Sequence, residues 1–74
     1  MTKDEFIERI SFLEPTFLFS GTYYTICHPL DTYYLYEDGR TEETMQAFIG
    51  EENLLYNGDL RGVKLIDAIS EIDF

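Results

Sequence analysis

Ser20-Gly21 sits between Phe17-Leu18-Phe19 and Thr22-Tyr23-Tyr24-Thr25-Ile26-Cys27, a two-residue loop between runs of aromatic and β-branched residues. A loop that short between β-favouring runs predicts an antiparallel hairpin. It also sets the register: Phe19 opposite Thr22, Leu18 opposite Tyr23, and Phe17 opposite Tyr24. Side chains alternate between faces along a strand. One face then carries Phe17, Phe19, Tyr24 and Ile26, and the other carries Leu18, Tyr23, Thr25 and Cys27. The first set is larger and more apolar, so it is expected to face the core.

The connection His28-Pro29-Leu30-Asp31 is rich in turn formers. Thr32-Tyr33-Tyr34-Leu35-Tyr36 reads as a third strand, closed by Glu37-Asp38-Gly39. Its alternation sets Tyr33 and Leu35 against Tyr34 and Tyr36, and Leu35 is placed inward. On the N-terminal side, Thr2 and Glu5 fit a capping box. Phe6, Ile10 and Leu13 form one helical stripe, and Pro15 ends the helix near Leu13. A second helix is expected from Thr41, with Met45, Phe48 and Ile49 turned to the sheet and Gly50 ending it. Residues 51–56 read as a short turn closed by Asn57-Gly58, followed by an extended, buried Leu60. Gly62 is expected to open a last helix with Leu65, Ala68, Ile69 and Ile72 on one stripe. The expected fold is thus α+β in a single domain over residues 1–74. It is a three-stranded antiparallel meander with helices on one face, in the order α-β-β-β-α-α.

The segments FLFSGTYYTI, YYLYEDG and LLYNGDLRGVKLIDAISEIDF resemble a group of small uncharacterised cytosolic proteins of low-GC Gram-positive bacteria. The likeness runs from about residue 5 to the end and rests on the spacing of aromatic, glycine and aliphatic positions. The chain departs from that group in lacking tryptophan near the third strand and in the last helix. The resemblance implies the same fold and supplies neither an activity nor binding residues.

Charge narrows the function classes. The chain has 74 residues, 15 carboxylates against 5 lysines and arginines, a net charge of −10 and a pI near 4.1. Such a chain is repelled by nucleic acid and by anionic membranes, and attracted to basic protein surfaces. Acidity that serves only solubility is the plainer alternative. No apolar run is long enough to cross a membrane, and the acidic, helical N-terminus is unlike a signal peptide, so a cytoplasmic location is expected.

Chemistry finds little to work with. Cys27 is the only cysteine and His28 the only histidine. If the strand reaches them, these neighbours point to opposite faces, so neither a nucleophile–base pair nor a zinc site follows. His28 reads as a solvent-facing turn residue. The pairs Glu37-Asp38, Glu42-Glu43 and Glu51-Glu52 fall at helix starts and in loops, where water keeps carboxylates ionised. The Tyr56–Gly62 loop offers only Asn57 and Asp59 as oxygen ligands, too few for a calcium loop. The sequence therefore predicts no enzyme, no cofactor and no metal.

A binding role is the better class. Leu18, Tyr23, Tyr34 and Tyr36 are expected on the sheet face away from the helices, with Asp31, Glu37 and Asp38 around them. Tyrosine buries much area at small entropic cost, and an acidic rim suits a basic partner. In so small a domain the same tyrosines would serve as packing if helices wrapped both faces. A second scheme uses Glu42, Glu43, Glu51, Glu52, Asp59, Asp67, Glu71 and Asp73, set against only Arg61 and Lys64. There the acidic half imitates nucleic acid and inhibits a nucleic-acid enzyme, as phage inhibitors of restriction or CRISPR nucleases do. Self-pairing of the sheet face into a homodimer is the third partner class.

Overall fold

A computed structural model describes residues 1–72; Asp73, counted above among the C-terminal carboxylates, lies outside them. Helix α1 (Lys3–Phe12) starts on the expected capping box. The Thr2 hydroxyl accepts from the Glu5 N–H, and the Glu5 carboxylate accepts from the Thr2 N–H. Phe6 and Ile10 are buried, but Leu13 caps the helix in extended backbone and turns outward, leaving the expected stripe.

Strands β1 (Thr16–Phe19), β2 (Thr22–Cys27), β3 (Thr32–Glu37) and β4 (Gln46–Ile49) form an antiparallel sheet in sequence order. Ser20 and Gly21 both have positive φ, 50° and 80°. That is the primed hairpin turn whose twist matches the strands it joins. The register is Phe17↔Tyr24, Leu18↔Tyr23 and Phe19↔Thr22. Phe17, Phe19, Tyr24, Ile26, Tyr33 and Leu35 are all buried, as the alternation implies.

The sheet has one strand more than expected. After α2, a single turn at Thr41–Thr44, the chain becomes β4 instead of continuing as a helix. Thr44 ends the turn: its hydroxyl donates to the Arg40 carbonyl and accepts from the Glu37 N–H. β4 then pairs with β3 through Tyr33↔Phe48 and Leu35↔Gln46. Phe48 packs on the core, whereas Met45 and Ile49, expected against the sheet, are exposed.

Residues 51–56, expected as a turn closed by Asn57-Gly58, belong to the two-turn helix α3 (Glu51–Asn57), which buries Leu54 and Leu55. Gly62 does not open a helix. With Arg61 it makes a second two-residue turn, φ 54° and 99°, between β5 (Asp59–Leu60) and β6 (Val63–Lys64). α4 (Leu65–Ala68) and a 3₁₀ turn at Ile69–Glu71 follow, and Leu65, Ala68, Ile69 and Ile72 are buried. Residues from α1, α3, α4 and the inward sheet face form one hydrophobic cluster. Gln46 ties the small hairpin to the sheet. Its side-chain amide donates to the Asp59 carbonyl at 2.8 Å and accepts from the Asp59 N–H at 2.9 Å.

Candidate functional site

The outward sheet positions form rows across the strands. Leu18 lies opposite Tyr23; Thr16, Thr25 and Tyr36 share a row; Cys27, Tyr34 and Ala47 share another. The four apolar and aromatic residues picked from the sequence, Leu18, Tyr23, Tyr34 and Tyr36, therefore occupy one face. Tyr23 is exposed and the other three are half-buried. Ala47 and Ile49 extend the face across β4, a contribution hidden while that segment was read as helix. The alternation of Gln46 and Phe48 against Ala47 and Ile49 was the available signal.

Polar contacts hold this face in shape. The Thr16 and Thr25 hydroxyls lie 2.9 Å apart, and Thr25 donates to the Asp38 carboxylate. The Cys27 thiol lies 3.3 Å from the Tyr36 phenol oxygen. The hydrogen bond to Cys27, reinforced by partial burial, pushes the Tyr36 phenol up to about 12. Tyr36 is thus neutral over the whole range in which the protein would be handled.

The acidic rim divides. Asp38 is exposed beside Tyr23, its N–H bonded to the Tyr23 carbonyl at 2.9 Å. Asp31 is exposed at the other end of the sheet, in the β2–β3 connection. Glu37 does not belong to the rim. It continues the inward series Tyr33, Leu35, Glu37 and is only 7 % exposed. Arg61 grips its carboxylate with two hydrogen bonds, Nε to Oε2 at 2.9 Å and Nη2 to Oε1 at 2.8 Å, and Arg40 approaches to 3.6 Å. The solvated Glu37-Asp38 pair expected from sequence is thus split, one member inside and one outside.

This clasp carries a pH prediction. The Arg61 hydrogen bonds hold the Glu37 carboxyl below its ordinary value. A depressed carboxylate stabilises the fold above the unfolded-state pKa, about 4.3, and loses that contribution as pH falls through the folded value. Arg61→Gln should therefore melt below the parent at neutral pH, with the gap closing as pH falls below the unfolded-state value of about 4.3 and Glu37 protonates in both proteins. Melting curves across that range test it; a gap of constant size would show that Arg61 acts by packing alone.

The histidine is not solvent-facing. His28 is half-buried, its ring stacked on Tyr33 with centroids 3.8 Å apart and planes 15° from parallel. Cys27 points to the outer face and meets Tyr36, so the two chemically versatile neighbours are separated by the sheet. Among the described residues no three His, Cys, Asp or Glu side chains gather as metal ligands. Nor is any helix there long and apolar enough to cross a membrane. In comparisons with family models, curated proteins and solved structures, nothing matches this chain.

Proposed function

We propose that this chain is a non-catalytic protein-binding module whose outward sheet face holds a partner with a basic surface. One observation carries the reading. The face of Leu18, Tyr23, Tyr34 and Tyr36 is itself uncharged, with the Asp38 and Glu14 carboxylates near Tyr36 at its edge, on a molecule of net charge −10. An aromatic centre can bury area at little entropic cost, while the surrounding negative field draws in a cationic partner and repels nucleic acid and anionic lipid. A cytoplasmic setting fits the absence of cysteines beyond Cys27.

The experiment is capture on immobilised protein from a bacterial lysate, run in parallel with a Tyr34→Ser/Tyr36→Ser variant. Both tyrosines lie outside the core, so the variant should fold with an unchanged circular dichroism spectrum. A basic protein retained by the parent and lost by the variant is the expected result. Equal retention by both would overturn the role of the face. Release of the captured protein by added duplex DNA would favour nucleic-acid mimicry by exposed carboxylates such as Glu42, Glu43 and Glu52.

A further inference from the structure

The three most exposed large apolar side chains among the described residues are Leu30 at 92 %, Phe12 at 83 % and Ile49 at 75 %. They come from three separate segments, and the sheet register brings those segments to one end. β1 begins at Thr16 opposite Thr25, near the end of β2, and β3 begins at Thr32 opposite Ile49, where β4 ends. The end of α1, the β2–β3 connection and the β4–α3 junction therefore lie at that end, spread from one edge of the sheet to the other. The His28 N–H donates to the Glu14 carboxylate at 3.4 Å, and a shallow groove runs between His28 and residues 10–14.

Leu30 has φ 62°, backbone that glycine or asparagine adopts far more readily than leucine. At 92 % exposure the Leu30 side chain buries almost nothing in the isolated fold, and strain of this kind collects at working surfaces. The surroundings define what would cover it. Residues 12–14, 28–32 and 49–52 hold Glu14, Asp31, Glu51 and Glu52 and no lysine or arginine. Arg9 lies one turn back along α1, beside Glu5 and Glu8. A second copy would set four carboxylates against four, so like charge argues against self-association here.

We propose that this end of the sheet, with Phe12, Leu13, Leu30 and Ile49 inside a carboxylate rim, docks the apolar face of a helix of another protein bordered by lysine or arginine. The proposal shares only Ile49 with the tyrosine face and stands on Phe12, Leu13 and Leu30 without it. Helix-in-groove binding of this kind uses a few apolar anchors for affinity and the charged border for orientation.

The probe is a synthetic amphipathic peptide with one leucine face and one lysine face, titrated into isotope-labelled full-length protein and followed residue by residue by NMR. Shifts should centre on residues 12–14, 28–32 and 49–52, and weaken in high salt. Leu30→Asn should melt no lower than the parent, because asparagine accepts the backbone, yet bind about tenfold more weakly, the effect of losing an interface anchor. Phe12→Ser, at an equally exposed site, should weaken binding likewise and serves if Leu30→Asn is poorly folded. A control peptide with serine in place of leucine should bind at least about tenfold more weakly, since it lacks the apolar anchors. Shifts centred on Tyr23, Tyr34 and Tyr36, equal binding of the control peptide, or unchanged affinity in both variants would overturn the proposal. So would a dimer in sedimentation formed through these residues.

Discussion

Gly58→Ala is expected to lower the unfolding midpoint by roughly 5–20 °C, the shift that an overpacking cost of about 1–3 kcal/mol produces in a domain of this size. The backbone is not the reason. Gly58 has φ −59° and ψ 133°, which alanine adopts freely. Space is the reason: a Cβ there would lie 2.6 Å from the Leu54 carbonyl oxygen, 3.3 Å from Leu35 Cδ2 and 3.4 Å from Leu65 Cβ. The oxygen cannot simply withdraw, because it accepts the Gly58 N–H at 2.8 Å and so closes α3. The Gly58 carbonyl in turn accepts from the Leu65 N–H, also at 2.8 Å. Alanine also narrows the unfolded ensemble, which by itself would stabilise by about 0.4–1 kcal/mol. A thermal melt therefore decides between the two effects, and an unchanged or raised midpoint would show that the end of α3 yields to the methyl group.

Phe6→Ala and Phe12→Ala should differ more than any other pair of like substitutions in α1. Phe6 is fully buried and meets the Phe17 ring edge-on at 6.1 Å. Its truncation should cost about 3–5 kcal/mol, a large share of the ~4–11 kcal/mol that holds a domain of this length together. Phe12, six positions along the same helix, stands in water and should cost less than about 0.5 kcal/mol. Urea unfolding of both variants measures the contrast. A Phe6→Ala protein as stable as Phe12→Ala would mean that α1 is not held on the sheet through this ring.

The parts of the fold that the sequence announced are those with short-range rules. Ser20-Gly21 permitted one hairpin register, and alternation then sorted residues 23–27 and 33–36 to their faces. β4 was hidden for two reasons: Met, Gln and Ala favour helices, and the 45, 48, 49 spacing fits a helical stripe as well as it fits anything else. What decided the outcome was tertiary: the Thr44 hydroxyl capturing the Glu37 N–H, and the open edge of β3. The β5–β6 hairpin was too short for periodicity to reveal, with two residues in each strand. Glu37 was a different kind of miss. The parity that places Leu35 inward places Glu37 inward too, and only its charge argued otherwise; Arg61, 24 residues on, supplies the compensation. The tyrosine face was legible because it is the complement of the core face. Leu30 stood in the sequence as an ordinary turn residue, and its positive φ is visible only in three dimensions.

Strict alternation in β2 and β3 has a consequence for how such a chain can change over generations. Neighbouring positions in these strands differ in what a substitution would disturb. Inward positions such as Tyr24, Ile26 and Leu35 are constrained by whether the molecule holds together at all. Tyr23, Tyr34 and Tyr36 carry no such burden, because they lie outside the hydrophobic core. The outer positions can thus change without putting the interior at risk. Lineages sharing this architecture would diverge at every second residue.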